Sequence, residues 1–371
     1  MTLYLDYNAS APIISEVVDI MNKSIKINGN PSSIHTSGRE AKKAVEDSRE
    51  LISETIDANA KNIIFTSGAT EANTLALKCS QKMITFVSSI EHDSVLKQNI
   101  NANFIPVTSE GIINLELLEK IIRQFSKEKI FVSIMAVNNE TGVIQPIENI
   151  SKICTENNAI FHVDAVQAIG RIDISMKNLN IDLLTISSHK IGGPKGVGCL
   201  VVSEKVYSLL SPIIIGGGQE RGFRGGTEAV NQIIGFGAAT KYAKKLSLVK
   251  TSTSRDILES KVLSMIPSSF IVGKNAPRVA NTSLIAFKNI LAESIVIALD
   301  LEGYEVSSGS ACSSGKVSES HVLRAMGLNE NIVKGAIRIS LCRSLNKSEI
   351  LSFCTILKKV INKLSREKKI I

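Results

Sequence analysis

Along this chain, short unbroken apolar runs alternate with stretches whose apolar positions return every third or fourth residue. Seven of the runs are Ile63–Thr66, Met83–Ser88, Phe104–Val107, Phe131–Val137, Ala159–Val163, Leu183–Ser187 and Val197–Val202. They are too short for helices and are bounded by turn-forming residues, so they predict buried strands. Between them the helical period predicts helices over Thr70–Lys78, Asp93–Asn101, Asn114–Phe125 and Ile147–Asn157. Asn114 is placed to cap the third of these, whose apolar face is Leu117, Leu118, Ile121 and Ile122. A longer helix is predicted from Glu228 to Leu246. This order predicts an α/β fold, a mainly parallel sheet with helices on both faces. Beyond it the texture changes. A helix starts at Thr251–Ser254, a strand covers Asn281–Phe287 and a helix Glu293–Leu301. Another strand covers Ala336–Leu341, and a closing helix Lys347–Arg366. A domain boundary is therefore expected near Leu248, giving a large domain over 13–247 and a small one over 248–371. Residues 1–12 are extended and Pro-ended, and are expected to join the small domain or cover the active site.

Composition narrows the class. A chain of 371 residues is long for one core, while 44% hydrophobic and 21% charged residues are ordinary for a globular protein. The net charge of +8 is spread out. Its one dense run, Arg366–Lys369, suits a helix C-terminus better than a nucleic acid, and the chain has no Trp to stack on bases. The N-terminus has no basic segment followed by a long apolar one, and no apolar run is long enough to cross a bilayer, so no secretory signal and no membrane partner are expected. The six cysteines form no Cys-x-x-Cys pair and no zinc-like cluster, so reduced thiols in a cytoplasmic protein are expected, with no metal site.

The chemistry gathers at predicted strand ends, where open α/β sheets place their ligands. One strand ends in Asp164, with Gln167 close behind; another ends in Ser187-Ser188-His189-Lys190 before the turn Ile191-Gly192-Gly193-Pro194. A carboxylate and an amine at one sheet edge are what pyridoxal phosphate needs. The lysine holds it covalently, and the aspartate keeps the ring nitrogen protonated so that the ring accepts electrons. Thr66-Ser67-Gly68-Ala69-Thr70-Glu71 is a turn into a helix, whose free N–H groups suit a phosphate, although such a turn is also an ordinary helix cap. His92 follows a strand and could stack on a ring or move protons, although a plain surface-loop histidine would look the same. His189 shares the functional reading; His162 is expected to point the opposite way from Val163. Asn139 follows a strand within Asn138-Asn139-Glu140-Thr141-Gly142, where it could bond a coenzyme oxygen or simply form a turn. The Gly-rich stretch from Gly216 to Thr227 matches neither a Walker A loop nor a Rossmann fingerprint, yet its Arg and Thr favour an anion. Arg338 falls within an alternating strand, where a buried guanidinium needs an acid: a substrate carboxylate, or an internal ion pair. Cys312 stands in a run of small residues, Val306 to Lys316, which cannot pack a core and is expected to be mobile. A thiol there can act as a nucleophile. The other five cysteines have apolar or helical neighbours, and of these only Cys342 stands out, because it directly follows a strand.

Taken together these segments resemble the cysteine desulfurases, in the class V branch of the fold-type I pyridoxal-phosphate enzymes. The resemblance runs from Leu5-Asp6-Tyr7-Asn8-Ala9-Ser10-Ala11-Pro12 to Arg338, and includes Gly29-Asn30-Pro31-Ser32-Ser33-Ile34-His35 and Val322-Leu323-Arg324-Ala325-Met326-Gly327. The Ser-Gly-Ser-Ala-Cys-Ser-Ser loop is similar to that of the longer-loop, NifS/IscS-like group. The resemblance implies a mainly parallel seven-stranded sheet flanked by helices, with a smaller α+β C-terminal domain. It also implies pyridoxal 5'-phosphate as cofactor and L-cysteine as substrate, with L-alanine released and sulfur left as a persulfide on Cys312. By the same motifs, Lys190 would hold the coenzyme, Asp164 pair with its ring nitrogen, and His92 stack on the ring. Gln167 and Asn139 would contact its oxygen, with Asn139 also near the substrate. Ala69, Thr70, Ser187 and His189 would hold the phosphate, and Arg338 the substrate carboxylate. Thr227 would reach the neighbouring subunit's phosphate, which implies a homodimer. The implied partner is a sulfur-acceptor protein, an iron–sulfur scaffold or a tRNA-thiolation enzyme. The chain stops at Ile371 just after the closing helix, so docking by the C-terminal segment of bacterial housekeeping members is not expected. Two other readings stand beside this one: another class V enzyme, such as an aminotransferase or selenocysteine lyase, and an inactive binding partner. Transamination needs no nucleophilic thiol, and an inactive homologue would have lost some of these residues.

Overall fold

In the computed structural model, residues 2–98, 101–243, 248–309 and 319–367 are described. A seven-stranded sheet runs in the order Ile63–Thr66, Gly198–Val202, Leu183–Ser187, Ile160–Asp164, Ile130–Met135, Ile84–Ser88, Ala102–Ile105. Only Gly198–Val202 runs against the rest, antiparallel to both its neighbours, so the sheet is mainly parallel as expected. Five of the strands are buried along their whole length, which is what a sheet covered on both faces requires. Side chains alternate between the two layers. Ile63, Phe65, Val132, Ile134, Phe161 and Val163 meet the helices Thr36–Ile56, Leu115–Gln124, Ile147–Glu156 and Val230–Ala243. Ile64, Phe131, Ile160 and Leu183 meet the helix Ala69–Lys78 through Ala72, Leu75 and Ala76.

A second, antiparallel sheet has the order Ser307–Ser308, Ala336–Ser340, Thr282–Phe287, Ser269–Ile271. Its apolar cluster joins Leu5 to Leu258, Ile285, Ile337, Phe353 and Leu357, from the helices Leu248–Met265 and Lys347–Glu367 as well as the strands. The N-terminal segment makes contacts of two kinds. Leu3–Tyr4 pairs in parallel with Tyr304–Glu305, and Asn8, Ala9 and Ser10 go on to line the main cavity.

Three local readings change. The helix expected over Asp93–Asn101 is only Asp93–Leu96, and the strand expected from Phe104 to Val107 is Ala102–Ile105, an edge strand whose Asn103 and Phe104 are exposed. An edge strand lacks the clean apolar run that marks a buried one. Helices Ser15–Ser24 and Thr36–Ile56 have no counterpart in the sequence reading. The second buries Ser48, Arg49 and Ser53 alongside Ala41, Val45, Ile52 and Ile56, so polar residues interrupt its apolar stripe.

Arg49 is buried for a reason. Its Nη1 and Nη2 donate to both oxygens of Glu220 at 2.9 Å each, and the Phe65 amide donates to Glu220 at 2.8 Å. Glu220 and the following Arg221 have φ of 46° and 58°, so the Gly-rich loop is pinned in a costly backbone by this buried pair. Glu220→Ala removes the buried acid that meets both Arg49 Nη groups and leaves the guanidinium only the half-exposed Glu46 and the Ile63 carbonyl. The expected result is a loss of about 3–5 kcal/mol of stability, read by denaturant unfolding; a change within about 1 kcal/mol, a single surface pair's worth, would contradict it.

Candidate active site

The C-terminal ends of the strands converge on a cavity of about 630 Å³. Asp164 closes the strand Ile160–Asp164, Lys190 stands on a single tight turn after Leu183–Ser187, and both line it. So do His92, Asn139, Gln167, Ser187, His189, Arg338, Ala69 and Thr70. Of the expected site residues that the structure describes, one is not brought there. Thr227 is exposed and does not line the cavity of its own chain, and Cys312 lies outside the described residues.

Asp164 is 5% exposed, and its carboxylate accepts from the Asn73 Nδ2 at 2.8 Å and from the Val166 amide at 3.0 Å. No Lys or Arg pairs with it among the described residues, so a buried charge is held by neutral donors alone and still suits a cation in the cavity. Lys190 Nζ donates to the carbonyls of Asn8 at 2.7 Å and Ala9 at 2.8 Å. His92 caps the turn Asp93–Leu96, its Nδ1 accepting from the Ser94 amide at 3.0 Å. Burial lowers the His92 pKa, Asp164 opposing and Lys190 adding to the shift, so the ring is neutral at neutral pH and able to take a proton. His189 is lowered to about 4 by burial, helped by Lys190 and Lys195. His162, by contrast, is fully buried inside the sheet between Ser133 Oγ at 2.8 Å and Thr185 Oγ1 at 3.0 Å, a structural role.

Ala69 and Thr70 open a helix whose cap, Gly68, offers no side chain, so their amides have no partner within the helix. Gly198 makes this approach possible. A Cβ there would stand 2.9 Å from the Gly68 Cα and 2.7 Å from the Ile186 carbonyl. Arg338 is 2% exposed and meets an acid as expected. Its Nη2 donates to Asp6 at 2.6 Å and its Nη1 to the Asn139 carbonyl at 3.0 Å, while its Nε has no partner among the described residues. The internal ion pair is therefore present, on an arginine that also faces the cavity.

The arrangement fits pyridoxal phosphate: an amine, a buried carboxylate without a cation, a helix start for a phosphate, and room for the ring between them. Several residues with a part in this geometry escaped the sequence reading. Asn8 accepts from Lys190 and from Gln167 Nε2 at 3.0 Å, and Asn73 holds Asp164. Glu91, fully buried, accepts from Ser88 Oγ and the Met135 amide at 2.6 Å each, and burial pushes its pKa up to about 8. Glu140 is pushed up to about 7 by burial and accepts from Ser320 Oγ at 2.5 Å. Glu91 and Glu140 are sequence neighbours of His92 and Asn139, which was the available signal. Asn8 was marked only by lying in the N-terminal segment read as a possible cover for the site, and Asn73 carries no signal, because only the folded chain brings it close.

A model of the family "Aminotransferase class-V" matches residues 3–353. A protein of Nostoc sp. called "Cysteine desulfurase" is 39% identical, over 98% of this chain and 93% of its own. "Cysteine desulfurase, mitochondrial" of Arabidopsis thaliana is also 39% identical, over 98% of this chain and 83% of its own, so the likeness fixes no compartment. Among solved structures, the NifS-like protein from Rickettsia africae superposes with a TM-score of 0.90 at 37% identity, covering 98% of this chain and 100% of that one. Among the described residues no helix is long and apolar enough to cross a membrane.

Proposed function

This chain belongs to the class-V aminotransferase family, in its cysteine desulfurase branch, and from that premise we propose that it converts L-cysteine to L-alanine and passes the sulfur, as a persulfide on Cys312, to an acceptor protein. The observation that carries the reading is the meeting of Lys190 and Asp164 in one cavity whose far wall is a helix start. Pyridoxal phosphate bound there supplies an electron sink for bond changes at the substrate carbons. Lys190 would hold it, Asp164 would keep its ring nitrogen protonated, and Ala69, Thr70, Ser187 and His189 would take its phosphate. Gln167 and Asn139 would bond its ring oxygen. His92, neutral and lining the same cavity, would accept and return protons. Arg338, which lines the cavity beside its ion pair with Asp6, would meet the substrate carboxylate. The Cys312 thiolate forms a bond to the substrate sulfur as the carbon–sulfur bond breaks. The electron pair of that bond stays with the carbon, which takes a proton and leaves as alanine. The reading extends to a homodimer, with Thr227 serving the partner's phosphate, working in the reducing cytoplasm for iron–sulfur assembly or tRNA thiolation.

The test is incubation of the coenzyme-loaded protein with L-cysteine, reading alanine and the mass of the Cys312 peptide. Alanine in step with one added sulfur on that peptide supports the reading. Alanine without any sulfur there, or no alanine at all, refutes it. Arg338→Lys keeps the charge but loses the fork, and one charge-assisted hydrogen bond is worth about 1.5–3 kcal/mol. Its expected effect is a KM for L-cysteine raised about ten- to a hundredfold with a smaller change in kcat. An unchanged KM places the carboxylate elsewhere.

A further inference from the structure

We infer that the chain carries a second ligand site, a pocket for a small anion on the opposite side of Lys190 from the coenzyme cavity. This pocket encloses about 180 Å³ and is lined by Tyr7, Arg171, Asn281, Cys342 and Arg343, with Lys190 in its wall. Water occupies roughly 30 Å³ per molecule in the liquid, so a few heavy atoms fit.

Arg171 sets the chemistry. It is 8% exposed, and no carboxylate pairs with it among the described residues. Its Nη1 donates to the backbone carbonyl of Gln167 at 3.1 Å and to that residue's Oε1, and its guanidinium lies 5.8 Å from the Tyr7 ring. These partners are neutral. Its Nη2 is buried with no partner among the described residues. Arg338, the other buried arginine nearby, has Asp6; Arg171 has nothing equivalent. Burial has already pulled the Arg171 pKa down to about 10. A buried cation without an acid is held at a cost that a bound anion removes.

The rest of the lining agrees. Among the described residues that wall the pocket none is acidic, whereas Arg171 and Arg343 are basic. Arg343 is an exposed residue at the mouth, paired with Glu349 at 2.6 Å, and Cys342 beside it is half-buried. The occupant these groups select has two acceptor oxygens for a guanidinium edge and little bulk: a small carboxylate or an inorganic oxyanion. Seated there, it covers the Cys342 thiol.

That contact gives the test. The coenzyme-loaded enzyme is treated with iodoacetamide in sodium sulfate, sodium formate or sodium chloride at equal ionic strength, and alkylation of the Cys342 peptide is followed by mass spectrometry. At about ten times its Kd a site-bound anion slows the reaction about tenfold. Protection by sulfate identifies the inorganic oxyanion, and protection by formate the carboxylate. Arg343→Gln is expected to weaken the protection, and Arg171→Met to remove it. Equal alkylation rates in all three salts overturn the proposal, as does full protection in a folded Arg171→Met protein. Should that variant not fold, undiminished protection in Arg343→Gln overturns it in the same way.

Discussion

Lys190→Ala is expected to lower alanine release from L-cysteine by at least about a thousandfold, the scale on which enzymes lose a covalent group that no neighbour replaces. The side chain is delivered by geometry that the substitution leaves intact. The strand Leu183–Ser187 is buried throughout, and the turn after it bends at Gly192, with φ of +82°. A Cβ at Gly192 would stand 2.6 Å from the Ile14 side chain, so the turn is fixed by sterics as well as by its hydrogen bonds. Asp164, His92 and the helix start do not depend on the Lys190 amine, so the variant is expected to hold the coenzyme without covalent attachment. Borohydride reduction separates this from general damage. In the wild type it should fix the coenzyme on the Lys190 peptide. Lys195 also lines the cavity, and a label found there instead would overturn the assignment.

The sheet was legible because its strands are buried on both faces and therefore read as plain apolar runs. The site was legible because its residues follow those runs directly: Asp164 ends one, Ser187 ends another, and His92 and Asn139 come within a few residues of two more. What stayed hidden has physical reasons. Helix Thr36–Ile56 buries Arg49 toward Glu220, so its inner face is not apolar in sequence even though it is satisfied in space. The role of Asn8 depends on a bridge between Asp6 and Ser340 that brings the N-terminus to the cavity, and no local pattern encodes a pairing over that separation. Arg171 follows the Asp164–Gln167 motif closely, yet a surface arginine would look the same in sequence. Only its burial, and the lack of an acid beside it, mark it out.

Cys312→Ala is expected to leave the coenzyme's visible absorbance in place while alanine release falls by more than about a hundredfold, as when an activated nucleophile is lost. The other thiols cannot take over. Burial pushes Cys79 up to about 12 and Cys354 up to about 11, and raises Cys154 and Cys199 as well, so none of these supplies thiolate at neutral pH. Cys342 lines the separate pocket behind Lys190 and not the coenzyme cavity. Cys312 itself lies outside the described residues, but both ends of its segment are tied to the site. On one side Ser307 is the register partner of Arg338 in the small sheet. On the other, Ser320 Oγ donates to Glu140, next to Asn139, and His321 Nε2 lies 2.8 Å from the Glu91 carbonyl, next to His92. The described residues on either side of that segment thus lie beside the residues proposed to hold substrate and move its protons. Turnover that survives Cys312→Ala undiminished would break the link between this segment and sulfur transfer, even with Lys190 and Asp164 assigned correctly.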